Sequence, residues 1–235
     1  MLVVFDTETN GLNVETCDIL SIGWIKAQIT TPSSFRIIEH VEYFVRNENI
    51  HNNPLCLSIN GITDEYRQQN GKPIDDILNI FSQSIQGLPV FAYNVNFDRD
   101  FICKYRPDFF ETSNVSQLLD VRTEYQQTHD TALMCSLQKT IYETFNGFNY
   151  WVPIRYHLHT AYDDVYAELI VLLHQKYHID ISSYCEKLDE EQEPAIPTGH
   201  HTWKPLSQIR FNICDLINKN RPEFDYIEDW MISRY

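Results

Sequence analysis

The chain has 235 residues, 43% of them hydrophobic and 13% aromatic, which excludes a disordered chain and fits one well-buried α/β domain with an extension rather than two large domains. Its formal net charge of −15 excludes a protein that coats duplexes or chromatin by charge alone, because polyanions are repelled at physiological salt. An enzyme that grips one strand end is compatible with that charge, since bound divalent cations bring positive charge to the place where a phosphate must sit.

Residues 2–5, LVVF, form an unbroken apolar run with β-branched members, the pattern of a central strand covered on both faces, and Asp6 sits at its end. A polar turn around Asn10 and Gly11 leads to a second strand over 19–25, and residues 36–45 alternate apolar and polar like a strand near a sheet edge. Short connections between the three predict an antiparallel meander. Residues 47–54 read as a loop, and 55–62, with Gly61, as a short turn-rich segment. Ile74, Ile77, Leu78, Phe81 and Ile85 then recur at helical spacing up to a stop at Gly87. A strand over 88–93 follows, and Phe97, Phe101, Ile102 and Tyr105 mark a helix directly after it, giving the order β-β-β-α-β-α.

A further helix is expected over 132–145, then an aromatic connector over 148–156. The last strong helix carries Tyr162, Val165, Tyr166, Leu169, Leu172 and Leu173 on one stripe and closes the main domain, residues 1–178. Residues 179–197 read as a linker, acidic from 186 to 193 and flanked by Pro194 and Pro197. In the C-terminal appendage, 198–235, Ile209, Ile213, Leu216 and Ile217 are spaced for a helix. No apolar run approaches the length of a membrane span, and no basic, cleavable leader precedes the first strand. Six scattered cysteines without a CxxC pair point to reduced thiols in a cytosol-like compartment, so the expected location is cytoplasmic.

Three short stretches carry chemistry. In Phe5-Asp6-Thr7-Glu8-Thr9-Asn10-Gly11-Leu12, Asp6 and Glu8 occupy alternate strand positions, so both point to one face and can share hard cations. In Asn94-Val95-Asn96-Phe97-Asp98 an apolar strand runs into a helix and presents a carboxylate in the first turn, at the strand end where ligands gather in open α/β sheets. Each has an ordinary alternative: a solvated strand end for the first, and helix capping or an acidic first turn for the second. In His157-Leu158-His159-Thr160-Ala161-Tyr162-Asp163-Asp164, a histidine before a helix and an aspartate in its first turn can approach one site, although such pairs are also commonly structural.

Together and in this order the three stretches resemble the DEDDh (DnaQ-like) exonucleases, the proofreading-type family of the ribonuclease-H-like superfamily. That family shows an FDxETxGL strand, an N-x-x-FD segment and an H-x-x-x-x-D segment. Here these correspond to Asp6 and Glu8, then Asp98, then His159 and Asp164, and the resemblance covers about residues 1–178. Pairing His159 with Asp164 preserves the family spacing and leaves His157 and Asp163 as lesser candidates, while Tyr93 stands where the family often has histidine. The implied fold is a ribonuclease-H-like mixed sheet, an antiparallel meander plus parallel strands, flanked by helices.

The resemblance implies 3′→5′ exonucleolytic hydrolysis with two Mg²⁺ ions, replaceable by Mn²⁺. Asp6 would bridge both ions, with Glu8 and Asp164 on the first and Asp98 toward the second. Four carboxylates suit this, because hard oxygen ligands hold such ions while leaving positions for water and phosphate. His159 would be the general base, a role suited to an imidazole whose unperturbed pKa is about 6.5. Leu12 would be an apolar wedge against the terminal base, with the backbone of Thr7 and Thr9 near the 3′ hydroxyl and Asn94 as a further substrate contact.

The expected partners are single-stranded 3′ ends of DNA or RNA, and no membrane. DNA is the preferred reading, in a proofreading or DNA-repair type of trimming, although the motifs hydrolyse either polymer and discrimination lies in contacts to the 2′ position. Trp203, Lys204, Arg210, Phe211, Lys219 and Arg221 mix aromatic and basic character and make the appendage a candidate for partner docking. Arg99, Lys104 and Arg106 read as a solvated helix face before a strand guide. His174 and His178 lack the glutamate of an HExxH site. Two alternatives stand beside the exonuclease. One is another metal-dependent phosphate-ester hydrolase, such as a haloacid-dehalogenase-like phosphatase, whose DxDxT motif conflicts with Glu8. The other is a non-catalytic nucleic-acid- or protein-binding module on the same fold, against which the intact five-residue set speaks.

Overall fold

The computed structural model describes residues 1–32, 34–128, 136–137, 140, 150–151, 159–180, 186–187, 195–198 and 202–205. Strands β1 (Leu2–Thr9), β2 (Ile19–Thr31) and β3 (Ser34–Phe44) form the expected meander. With β4 (Pro89–Ala92) and β5 (Gln117–Asp120) they make a five-stranded sheet of order β3-β2-β1-β4-β5. β1 pairs antiparallel with β2 and parallel with β4, and β4 pairs parallel with β5. The chain is therefore an α/β protein with a mixed central sheet, and β3 lies at its edge.

Every residue of β1 is buried, as its central position requires. The strand's alternation divides it between two cores. Leu2 and Val4 face the last helix, α7 (Ala161–Tyr177), and pack with Val165, Leu169 and Leu173. Val3 and Phe5 face the other side, against α3 (Ile74–Ile85) and α4 (Val95–Tyr105), with Ile77, Phe81 and Phe101. Phe81 anchors that side through the rings of Phe5 at 5.2 Å and Trp24 at 5.0 Å, each fully buried aromatic contributing roughly 1.5–3 kcal/mol.

The turn-rich segment is more regular than expected. Asn53 accepts the Cys56 N–H at 2.9 Å and starts α1 (Pro54–Asn60), which Gly61 closes in the left-handed region. Thr63 likewise caps α2 (Asp64–Asn70), a helix whose polar sequence carries no apolar stripe. Between β4 and α7 lie α4, the short α5 (Phe109–Thr112), then β5 and α6 (Val121–Thr128). β5 and α6 were not among the sequence expectations.

The helix expected over 132–145 falls outside the described residues except at Ser136, Leu137 and Thr140, where Thr140 N–H donates to Ser136 O at 2.9 Å. Tyr150–Trp151 (β6) pairs with Glu186–Lys187 (β7), and Ala195–Thr198 (β8) with Thr202–Pro205 (β9). The stretch expected as a linker thus contains β7 and all of β8 but its last residue. In the appendage the described residues are extended, and the helix expected around residues 209–217 lies outside the described residues. On α7, Tyr162 departs from the apolar stripe: it is 42% exposed and stacks on His40 of β3 at 3.6 Å. No helix among the described residues is long and apolar enough to cross a membrane.

Candidate active site

Asp6 and Glu8 continue the row of β1 that begins with Leu2 and Val4, so the alternation that sends Val4 into the α7 core sends both carboxylates to the same side. An irregularity in the β1–β2 register between Glu8 and Thr9 ends the strand beside them. Oxygen atoms of Asp6, Glu8 and Asp164 all lie within 4.8 Å of one another, and the three side chains are buried.

Gly23 of β2 makes this convergence possible. It is paired directly with Asp6, and a Cβ placed on it would stand 2.5 Å from the carbonyl oxygen of Ala161, the first residue of α7. Only a residue without a side chain lets the helix start this close to the sheet, so that its first turn delivers Asp164 to the β1 carboxylates. Nothing in the apolar pattern of the second strand marks Gly23 as part of the site.

Local bonding separates the two aspartates of the third segment. Thr160 is the N-cap of α7: its hydroxyl accepts the Asp163 N–H at 3.2 Å and donates to the Asp163 carboxylate at 3.1 Å. Asp163 is thereby tied to the cap, while Asp164 points into the cluster. The Asp164 carboxylate also accepts the His159 N–H, at 3.2 Å and 3.3 Å from its two oxygens. His159 has a φ of 92°, a conformation that costs on the order of 1–3 kcal/mol outside glycine and persists where the surroundings impose it. His157 lies outside the described residues.

Asp98 is not one of the three clustered acids; it is held against β1 from the opposite side of the sheet. It sits in the first turn of α4 and is 1% exposed. Its Oδ1 accepts the Thr7 N–H at 3.0 Å and the Thr7 hydroxyl at 2.7 Å. Thr7, between Asp6 and Glu8, thus turns its side chain away from them and fastens α4 to β1. Asn94 begins α4 in the left-handed region, which asparagine tolerates. Its N–H donates to Asp120 at 3.2 Å and its Oδ1 accepts from Arg122 at 2.6 Å, so β5 and α6 brace the turn that carries Asp98.

Two further acids were missed by sequence reasoning. Glu168, one turn beyond Asp164 on α7, is 1% exposed, and its Oε2 accepts the Tyr93 N–H at 3.0 Å. Burial pushes its carboxyl well above the usual carboxylate range, and the charges of Asp6, Asp98 and Asp164 push the same way, against the Tyr93 bond. Glu42 of β3 pairs with Gly23 in the row that includes Asp6. Burial raises it to about 7, with Glu8 and Asp163 adding to the rise and hydrogen bonds from the Ser21 hydroxyl and the Tyr162 N–H opposing it. A buried acid inside an apolar helix stripe, or a half-buried one on a strand of ordinary alternation, has no motif to announce it.

The turn after β1 is held from outside. Asn10 accepts the Asp18 N–H at 2.7 Å and donates to His51 O at 2.8 Å, and Asn53 donates to Asn10 O. The loop carrying His51 and Asn53 is pinned by Arg67, which is fully buried and donates to Val45 O, Ile50 O and Asp64. Although burial is the largest single influence on Asp64, hydrogen bonds from Arg67, the Asn52 N–H and His51 outweigh it and hold the carboxyl down at about 2. Within the braced turn Thr9 donates to Gly11 O at 2.8 Å, and Leu12 is partly buried against the α7-side core. Arg99, Lys104 and Arg106 pair with Asp100, Asp18 and Asp75, as a helix face would.

Three buried carboxylates within such a distance repel one another unless cations or protons lie among them. An all-oxygen donor set is the chemistry that Mg²⁺ or Mn²⁺ prefers, so the residues present fit a divalent cation.

The sequence profile of the exonuclease family RNase_T matches residues 3–172. No curated protein matches the chain. Among solved structures, exonuclease X in complex with 5′-overhanging duplex DNA is similar at 18% identity and a TM-score of 0.52, over 78% of this chain and 96% of that one. E. coli exonuclease I in complex with a dT13 oligonucleotide is similar at 15% identity and a TM-score of 0.55, over 74% of this chain and 40% of that one. The zinc-bound form of the E. coli exonuclease I complex with single-stranded DNA gives 15% identity and a TM-score of 0.54 over the same shares. The chain therefore spans 40% of the exonuclease I length, and at these identities the likeness is one of fold.

Proposed function

This chain belongs to the exonuclease family RNase_T, DEDDh exonucleases of the ribonuclease-H-like superfamily, and on that premise we propose that it removes nucleoside 5′-monophosphates from the 3′ end of single-stranded nucleic acid, DNA in preference to RNA. The observation that carries this reading is the convergence of Asp6, Glu8 and Asp164 within 4.8 Å, with Asp98 fastened to the strand residue between the first two. DNA as substrate is supported by the single-stranded and overhanging DNA held by the structural relatives.

In this reading Asp6, Glu8, Asp98 and Asp164 would hold two Mg²⁺ ions, or Mn²⁺ in their place. When bound, such ions activate the attacking water, neutralise the non-bridging phosphate oxygens and stabilise the departing 3′ oxygen. His159 takes the proton from the attacking water, and its backbone bond to Asp164 keeps the imidazole's attachment point at the rim of the metal site. Leu12, backed by the α7-side core, offers an apolar surface for stacking by the terminal base, which suits an enzyme indifferent to sequence. The backbone of Thr7 to Thr9 meets the 3′ hydroxyl, and Asn94 lies at the braced turn beside Asp98. Residues 1–178 form the catalytic domain in a cytosol-like compartment, with the segment from 198 onward available to a protein partner.

Incubating 5′-labelled single-stranded DNA and RNA with the purified chain and Mg²⁺ tests this. A ladder shortening from the 3′ end, faster on DNA and abolished by EDTA and by Asp6→Ala, is expected. Internal cuts, or equal digestion by the variant, overturn it.

A further inference from the structure

Glu168 has no part in the hydrolysis described above, yet it is buried beside the site's ligands. It lies one turn beyond Asp164, on the same face of α7, close enough to Asp6, Asp98 and Asp164 to feel the charge of each. The surrounding stretch from Ala167 to Leu173 is otherwise entirely apolar and buried, so a leucine or alanine would serve packing without the cost of desolvating a carboxyl. A helix-packing requirement therefore does not account for it.

The hydrogen bond it makes does. Tyr93 is the first residue beyond β4, where the backbone leaves the sheet between β1 and β5 and its buried N–H needs another acceptor. Glu168 Oε2 supplies that acceptor at 3.0 Å. From Tyr93 the chain turns through Asn94 into α4, which carries Asp98. One bond thus joins the helix that delivers Asp164 to the turn that sets Asp98. The two aspartates otherwise stand on separate elements that cover opposite faces of the sheet.

We propose that Glu168 is a positioning residue: by clamping the Tyr93 amide it fixes the separation of Asp98 from Asp164, and so the affinity for a second divalent cation that Asp6 and Asp98 would hold. The inference rests on the metal-site reading above.

The test is calorimetric titration of the full chain with Mn²⁺, without nucleic acid, on the wild type, Glu168→Gln and Glu168→Met. The amide oxygen of Gln still accepts from Tyr93, whereas Met fills the volume and accepts nothing. Glu168→Met is expected to weaken the weaker Mn²⁺ site by about 10- to 100-fold, the usual loss when a residue that orients a metal ligand is removed, with the tighter site unchanged and Glu168→Gln close to wild type. Amide exchange of Tyr93 should be slow in the wild type and in Glu168→Gln and fast in Glu168→Met. Wild-type affinities in Glu168→Met overturn the proposal. So does a Gln variant that loses the weaker site, which would make charge rather than acceptance the requirement and decides the matter even if the Met variant does not fold. A wild-type chain that takes up no Mn²⁺ is a different failure, since it removes the metal reading itself.

Discussion

On the α7 side of the sheet three carboxylates crowd within 4.8 Å of one another, whereas on the α4 side a single carboxylate, Asp98, is held by the amide and hydroxyl of Thr7. The residue types are the same and the burial is the same, but the free energy runs in opposite directions. In the α7 cluster the dominant cost is mutual repulsion, which a cation relieves. At Asp98 the hydrogen bonds already stabilise the charged form, and the residue is in place before any ion arrives. The proposed site therefore joins a repulsive half to a preorganised half, and in that reading the difference would make metal binding favourable without leaving the fold dependent on it.

Catalytic rate should separate these residues most strongly. Removing the proposed general base in His159→Gln should cost about 10² to 10⁴ in single-turnover rate, and Asp6→Asn should cost more, because both proposed ions depend on Asp6. Equal, modest losses would dissolve the distinction between cluster and base. Stability without metal sharpens it further: thermal melts in EDTA should show Asp6→Asn more stable than wild type, since repulsion is relieved. Asp98→Ala should be less stable by about 1–3 kcal/mol, since it strands the two Thr7 donors. Shifts of the same sign in both variants would contradict the contrast.

The smallest expected effect concerns Glu42, at the edge of the crowded half. Its carboxyl is raised from 4.5 to about 7, so the fold favours the protonated form. Its contribution to stability is fully present below pH 4.5 and is lost as pH rises through about 7. The melting temperature of the metal-free chain should fall across that window, and Glu42→Gln should flatten the slope. An unchanged slope would mean that the crowding does not extend to β3.

Much of this was legible in the sequence because it is written at short range. The run ending at Asp6, the alternation that aligns Glu8 with it, and the helix starts near Asp98 and Asp164 follow from neighbouring residues. So do the meander and the α3 stripe from Ile74 to Ile85. Gly23, Glu42, Glu168 and Arg67 were not legible, because each acts on a partner far along the chain: Ala161, Glu8, Tyr93 and the backbone at Val45 and Ile50. Glu168 in particular stands in an apolar helix like a solvated residue, and only the strand end opposite it gives it a purpose. β5 escaped notice because four residues, two of them leucines, make too short a pattern, and α2 because its helix is set by the Thr63 cap rather than by an apolar face.

If Asp6, Glu8, Asp98 and Asp164 bind divalent cations together, an anomalous difference map from a crystal soaked in Mn²⁺ will show where. Two peaks are predicted, one among Asp6, Glu8 and Asp164 and the other between Asp6 and Asp98. A map with no peak among these four carboxylates, from a crystal that carries Mn²⁺ elsewhere or not at all, would contradict it.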